Sequence, residues 1–419
     1  MTASPAAAER APPRIATLDI VRGVAVMGIL AANIVSFALP TAAYLNPRAY
    51  GAASGADLAA YVLNFILIEG KMRGLFSFLF GASMLLVIER AEARGEDPAG
   101  VHFCRMAWLL FFGLLHFFLI WAGDILTLYA LVGMAAWFFR RQDPAGLILR
   151  GGLFLVFQFG LMAYLALDAH GLAVAAASGQ ADPDALQRWA EYQVEMGAPS
   201  PDDLAAELRL YGGPWAGIAR DQWENAGYLV STLEAFAWET LAYMLFGMAA
   251  LKSGFLSGAW PVASYRKAAL IGFALTLPLY ALIAGALLAS GHSAPAVLAL
   301  DFAATVPIRP VTIAATAALI ILLARHGGAL TERVAAAGRA AFTNYLGTSI
   351  LMTALFYGWG FGLFGRLGRA ELWLVVLPMW ALMLLWSKPW LDRFRYGPFE
   401  WLWRSLARWS LQPMRKRGA

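Results

Sequence analysis

Apolar residues in this chain do not alternate with polar ones; they come in long runs. Ten runs approach or reach the roughly 20 residues that an α-helix needs to cross a hydrocarbon layer. They are 20–40, 72–90, 105–122, 125–139, 152–167, 228–250, 268–290, 308–324, 339–357 and 371–386. This predicts an all-α fold, a polytopic transmembrane helical bundle of about ten spans. A membrane barrel would show short alternating segments instead. One more stretch, 57–70, is apolar but short and ends among Glu69, Lys71 and Arg73. It reads as an interfacial or re-entrant helix.

A polar insertion interrupts the runs from about Asp168 to Asn225. Its acidic residues outnumber its basic ones. Periodic apolar positions (Leu186, Trp189, Tyr192, then Leu204, Leu208, Tyr211) predict short amphipathic helices, with Pro183 and Pro201 as helix-start residues. It reads as a solvated cap or as a lid over an external site. The insertion divides the chain into an N-terminal bundle (1–167), an extracytoplasmic acidic insertion (168–225) and a C-terminal bundle with a basic tail (226–419). Residues 389–410 place Trp390, Trp401, Trp403 and Trp409 among basic residues, the pattern of an amphipathic surface helix. The polar segment Met1–Arg14 reads as a disordered tail, and the run from Ile20 as a retained anchor.

Composition agrees with this division. Of 419 residues, 60% are hydrophobic and 14% charged, against about 25% charged in a soluble domain. The single cysteine, Cys104, excludes an internal disulfide and a cysteine metal cluster. With the N-terminus inside, 23 of the 32 lysines and arginines fall on the inner side. The positive-inside rule then predicts N-in and C-in. The net charge of +5 follows from topology and is no argument for nucleic acid.

Candidate chemistry begins with His116, a lone titratable group inside the run from Met106 to Ala122. An ionisable side chain at membrane depth is costly and usually functional. Its ordinary pKa of about 6.5 suits a general base; a buried neutral histidine is the other reading. Asp124 follows eight residues later, about 12 Å along a straight helix. The two therefore meet only if the chain breaks near Gly123. Asp124 is also a good cap for the next helix.

Three further groups stand out. Asp19 and Arg22 share one face at the start of the first helix. They read as a helix cap with a positive-inside arginine, or as an anion contact at the cytoplasmic mouth. Gly23 allows close helix packing there, and Asn33 is expected to make an interhelical hydrogen bond. Lys71 and Arg73 lie on the outer side, against the positive-inside trend. Either they pair with Glu69 or the insertion, or they meet an anionic substrate. Glu234, Glu239 and Arg309 sit in or beside spans, where isolated charges are expensive. These five are expected to converge on one outer pocket. Asn344 is a polar group early in the ninth span, and Tyr357–Gly365 is an aromatic, Gly-rich loop suited to a sugar, a headgroup or the interface. No P-loop, nucleophile elbow or metal-site spacing is present.

Several motifs together resemble the YeiB-like family of bacterial membrane proteins. They are Leu18-Asp19-Ile-Val-Arg22-Gly23 with Asn33, Lys71-Met-Arg73-Gly-Leu-Phe76, Gly113-Leu-Leu-His116, Gly123-Asp124, and Gly338-Arg339-Ala-Ala-Phe-Thr343-Asn344-Tyr345. The tail Arg393–Arg404 fits as well. The first half is similar to a wider superfamily of transmembrane acyltransferases that includes heparan-α-glucosaminide N-acetyltransferase, through Asp19, Arg22 and Gly23. That resemblance implies acyl transfer from a cytoplasmic acyl-CoA to an acceptor on the other side, with a histidine as base or transient acyl carrier. The loop 41–56 holds no histidine, so the role of His116 rests on its place in the chain.

The expected function is therefore an acyltransferase of the bacterial inner membrane, with acyl-CoA as co-substrate and no tightly bound cofactor or metal. His116 and Asp124 are the expected catalytic residues, and Asp19 and Arg22 the expected donor-binding ones. Lys71, Arg73, Glu234, Glu239, Arg309 and Asn344 are expected to bind substrate. The expected partners are membrane lipid and a small-molecule or glycan acceptor, with a homodimer left open. The alternative is a proton-coupled transporter of a small anionic or lipid-like substrate, and a third reading is a non-catalytic scaffold.

Overall fold

The computed structural model describes residues 15–416. The expectation for Met1–Arg14 lies outside them. The first half comprises α1 (Ala16–Ala38), α2 (Ala42–Leu45), α3 (Gly55–Leu67), α4 (Lys71–Ala93), α5 (Pro98–Leu119), α6 (Leu126–Ala136) and α7 (Pro144–Ala177). The insertion forms α8 (Pro183–Glu195), α9 (Pro201–Tyr211) and α10 (Trp215–Glu224). Then follow α11 (Tyr228–Lys252), α12 (Val262–Ala289), the single turn α13 (Ala294–Ala296) with a π-helical segment Val297–Ala303, and α14 (Arg309–Ala324). The chain ends with α15 (Ala329–Arg339), α16 (Ala341–Phe356), α17 (Trp373–Arg393) and α18 (Pro398–Ala407). Helix starts follow local chemistry. Asp97, Asp143 and Asp182 each cap a helix whose first residue is proline, and Ser200 with Asp203 forms a capping box before Pro201.

All ten apolar runs are helical, and six helices are long and apolar enough to cross a membrane. The stretch 57–70 does not stand alone: α3 and α4 together form one apolar run, Gly55–Ala93. α6 and α14 are shorter apolar helices, and α16 has only 16 residues. The surface helix expected over 389–410 divides. α17 continues through Pro389 to Arg393, because Trp386 and Trp390 pack on Ala336 of α15 and on Ala340 just after it, and α18 begins afresh at Pro398. Large apolar side chains project outward from the peripheral helices, among them Leu153 and Leu167 of α7, Leu270 and Leu282 of α12, and Leu374 of α17. Such surfaces are stable against lipid and not against water, so this is a membrane protein.

α4 runs through the centre, packed against α1, α5, α11 and α14. Two glycine pairs set how closely the backbones approach. A Cβ on Gly81 of α4 would overlap the Met244 carbonyl of α11, and one on Gly247 would overlap the Phe78 carbonyl of α4. Gly23 of α1 and Gly338 of α15 do the same for Val334 and Asp19. These are small-residue crossings of the kind membrane helices use.

The insertion is docked. Trp215 Nε1 donates to the Leu119 carbonyl at the end of α5, 2.8 Å away. Glu207 accepts from the Thr41 backbone N–H (2.8 Å) and hydroxyl (2.6 Å). Tyr211 packs between Tyr357 and Phe364, at centroid distances of 4.8 and 4.7 Å. Two rings of the aromatic loop therefore hold the insertion, while Trp359 and Phe361 remain exposed.

Gly247→Ala should lower the melting temperature in detergent, with a loss of about 1–3 kcal/mol from overpacking. Gly160→Ala, where a Cβ meets open space, should melt like the parent; equal melting of both variants would exclude a backbone crossing at Gly247.

Candidate functional site

α5 ends at Leu119, and the chain turns back through 120–125 before α6 starts. This break closes the gap that a straight helix would leave. His116 Nδ1 lies 2.9 Å from Asp124 Oδ1, with both side chains buried. Asp124 also accepts from the backbone N–H groups of Leu126 (3.1 Å) and Thr127 (2.8 Å), so it caps α6 as well. In the tautomer in which Nδ1 donates to the Asp124 carboxylate, a neutral imidazole keeps its lone pair on Nε2. Among the described residues Nε2 has no hydrogen-bond partner. The imidazole is flanked by Tyr345 (5.2 Å between ring centroids) and Trp121 (6.1 Å).

A cavity of about 480 Å³ opens at the end of the bundle where α1 begins and the tail returns, a volume typical of small-molecule sites. Its walls carry seven arginines: Arg22, Arg90, Arg94, Arg105, Arg339, Arg395 and Arg404. Two carboxylates face them. Asp19 pairs with Arg22 at 3.2 Å. Glu400 accepts from the Phe342 and Thr343 backbone N–H groups (2.7 and 3.1 Å) and so caps α16. α1 begins at Ala16, which puts Asp19 inside the first turn; it is not the cap the sequence suggested. Arg22 also donates to Ser83, 2.6 Å away. Deeper walls are apolar, with Phe80, Met84, Met106 and Leu109. The cavity reaches Leu126 and Tyr345, both next to the His116–Asp124 pair.

On the other side of Tyr345 lies a pocket with room for about one water-sized group, lined by Asn33, Trp121, Thr348 and Ser349 among others. Asn33 makes none of the expected interhelical hydrogen bonds among the described residues, and the Thr348 hydroxyl is buried without a partner. Tyr345 belongs to a motif quoted above but carried no assigned role, and Thr348 did not stand out in the sequence. Aromatic and hydroxyl residues in a span carry no periodic or charge signal.

Near the start of α4, Glu239 of α11 receives two guanidinium groups, Arg73 of α4 and Arg309 of α14, each at 2.7 Å, and the Tyr243 hydroxyl at 2.5 Å. Arg309 also donates to the Asp301 carbonyl at 3.0 Å. Lys71 is 1% exposed. Its ammonium donates to the Phe65 carbonyl (2.5 Å) and lies 3.4 Å from the centre of the Tyr280 ring. Glu69 accepts from Tyr44 at 2.6 Å. Four of the five expected residues thus converge. Glu234 does not: it is exposed, one turn and more before Glu239 on a helix that turns its other face inward. Asn344 lies elsewhere too. Its amide donates to the Ala337 carbonyl (3.0 Å) and Ser387 (3.3 Å) and accepts from Trp386 (2.9 Å), joining α15, α16 and α17.

Beside this network is a pocket of about 30 Å³ lined by Ala31, Ile34 and Val35 of α1 with Glu69, Asp301 and Arg369. The pocket near His116 is lined by Leu30, Asn33 and Phe37 of the same helix. The charged cluster and the histidine therefore lie on different sides of α1.

Residues 250–410 match a family model described as "Protein of unknown function (DUF418)". The chain is 33% identical to the protein YeiB of Escherichia coli (strain K12) over 402 residues, which cover 94% of this chain and 96% of that one. It is 32% identical to YxaH of Bacillus subtilis (strain 168) over 418 residues, 96% of each. Both relatives are described as uncharacterized.

The chain belongs to the YeiB-like family.

No solved structure matches it. The region of this YeiB-like protein that matches the family model runs from α12 through α18 and supplies Arg309, Tyr345 and the tail side of the basic cavity.

Glu239→Gln should destabilise this YeiB-like protein by about 3–5 kcal/mol, because it leaves Arg73 and Arg309 buried without their carboxylate. Glu234→Gln, at an exposed position, should stay within about 0.5 kcal/mol of the parent. Thermal unfolding in detergent compares them; similar losses for both would contradict the network.

Proposed function

We propose that this protein is an integral-membrane acyltransferase. The observation that carries the reading is the place of the buried His116–Asp124 pair directly behind Leu126 and Tyr345, two residues of the basic cavity's wall, so that a shift of Tyr345 is needed to bring Nε2 into contact with a ligand there. In this reading the protein lies in the bacterial inner membrane with about ten spans and both termini inside, so the cavity opens to the cytoplasm. An acyl-CoA enters there. Its phosphates meet arginines, with Arg22 held in place by Asp19 and Ser83, and its acyl end lies against the methionine and aromatic walls. His116 Nε2 takes the proton of an acceptor hydroxyl or amine on a sugar or lipid. Asp124 holds the tautomer that makes this possible and stabilises the imidazolium that forms. The acceptor oxygen or nitrogen bonds to the acyl carbon, the carbon–sulfur bond breaks, and the proton passes from His116 to the leaving thiolate. The acceptor approaches from the side covered by the insertion, since the outer charged cluster lies across α1.

A proton-coupled transporter is the second reading, favoured by the buried network of Arg73, Glu239 and Arg309. Thiol release separates the two. Proteoliposomes given radiolabelled acetyl-CoA should release free thiol, and His116→Ala and Asp124→Asn should each slow release by about 10²-fold or more. Folding should be preserved in both. Thiol release unchanged by His116→Ala would remove the acyltransferase reading. A reporter fused after Ala419 should be active only in the cytoplasm; a periplasmic signal would reverse the topology and with it the side of donor entry.

A further inference from the structure

The basic cavity and the small pocket near His116 follow one another along the same two helices. From α1 the cavity uses residues up to Arg22, and the pocket those from Val26 to Phe37. From α16 the cavity uses residues up to Tyr345, and the pocket those from Tyr345 to Ser349. Among the described residues Tyr345 is the one common to both linings. Its ring also lies 5.2 Å from that of His116, and its hydroxyl accepts from the Ile125 N–H, 3.3 Å away, beside Asp124. One side chain therefore stands between the cavity, the histidine and the pocket.

We propose that this pocket receives the reacting hydroxyl of the acceptor, held by Thr348 and Asn33, so that the acceptor is a neutral alcohol and not an amine. The proposal rests on the acyltransferase reading given above and narrows it. Tyr345 swings aside to let the acceptor oxygen reach both Nε2 of His116 and the acyl carbon. The hydroxyl proton then passes to Nε2, the oxygen bonds to the thioester carbon, the carbon–sulfur bond breaks, and the thiolate takes the proton.

Three observations support it. The first is the Thr348 hydroxyl, which is 5% exposed at the residue level and has no hydrogen-bond partner among the described residues. Hydroxyls in membrane helices commonly bond the carbonyl four residues back. On the same helix Ser349 and Thr353 do so, at 3.2 and 2.9 Å. Thr348 does not, and a buried hydroxyl left without a partner is costly. The second is charge. No charged side chain lines the pocket. The nearby Asp124 carboxylate is committed to His116 and to two backbone N–H groups. An ammonium entering there would lose its water with no carboxylate to face, whereas a hydroxyl only needs hydrogen bonds. The third is fit. A hydroxyl both donates and accepts, and the Thr348 hydroxyl and the Asn33 amide offer both roles. The volume of about 10 Å³ admits one such group.

Thiol labelling tests the pocket without turnover. The single cysteine is removed by Cys104→Ser, and Thr348→Cys is added to the full-length protein in nanodiscs. Hydroxyethyl methanethiosulfonate is neutral and aminoethyl methanethiosulfonate is a cation of similar size. Mass spectrometry should show the neutral reagent adding to the new thiol about tenfold faster or more. Proteoliposomes with acetyl-CoA give the second measurement, with ethylene glycol as the alcohol and ethylamine as the amine. Thiol release should rise with ethylene glycol and, above the uncatalysed rate, not with ethylamine. Thr348→Val keeps the shape of threonine; it should slow release about tenfold yet melt no lower than the parent, since it deletes an unpaired hydroxyl. Thr348→Ser should recover most of the release, and Asn33→Leu should slow it. Selective labelling without thiol release from either acceptor would keep the pocket as a hydroxyl site and remove the acyltransferase reading. Equal labelling by both reagents, or none by either, would overturn the proposal. So would faster release with ethylamine than with ethylene glycol, or a Thr348→Val variant that melts well below the parent. Parent-like release by Thr348→Val would do the same and assign the pocket to a structural water only.

Discussion

A single carboxylate fixes the end of the bundle where α4 begins. Glu239 lies on α11 with one arginine of α4 on one oxygen and one arginine of α14 on the other. In a low-dielectric interior none of these charges is tolerable alone, and together they tie three helices at one depth. α4 is held there by charge. One or two turns further in it is held by contact, where Gly81 and Gly247 let its backbone meet that of α11. The two constraints act on the same pair of helices and leave little freedom to slide. Everything that lines the basic cavity from α4, including Phe80, Met84 and Arg90, takes its place from that register.

The bundle is chemically lopsided. The end where α4 begins pairs its charges with one another, with Lys71 satisfied by a carbonyl and an aromatic face. The other end gathers arginines and commits its carboxylates to capping and to Arg22. An excess of one sign attracts ligands; a balanced network holds structure. The charged cluster expected to bind substrate also ties α4, α11 and α14 together. Among the described residues, Nε2 of His116 and the hydroxyl of Thr348 are buried without hydrogen-bond partners.

The sequence alone determined a great deal. Long apolar runs determined a helical membrane protein, and Pro183 and Pro201, after Asp182 and Ser200, marked helix starts. These are local effects, decided by hydrophobic length and by capping within a turn. His116, Asp124, Arg73, Glu239 and Arg309 were also legible, because charge in an apolar run is rare and costly whatever the fold.

Partners were not legible. Asp124 reaches His116 only because α5 stops at Leu119 and the chain doubles back. Glu234 and Glu239 differ by five residues and look alike in the sequence, yet one faces outward and the other holds two arginines. Asn344, polar and early in a span, proves to join three helices. Tyr345, its neighbour, stands between the cavity and the histidine. Sequence sets which groups cannot be left alone in a membrane. Which group satisfies which is a matter of helix rotation and depth, and only the packing of the whole bundle decides those.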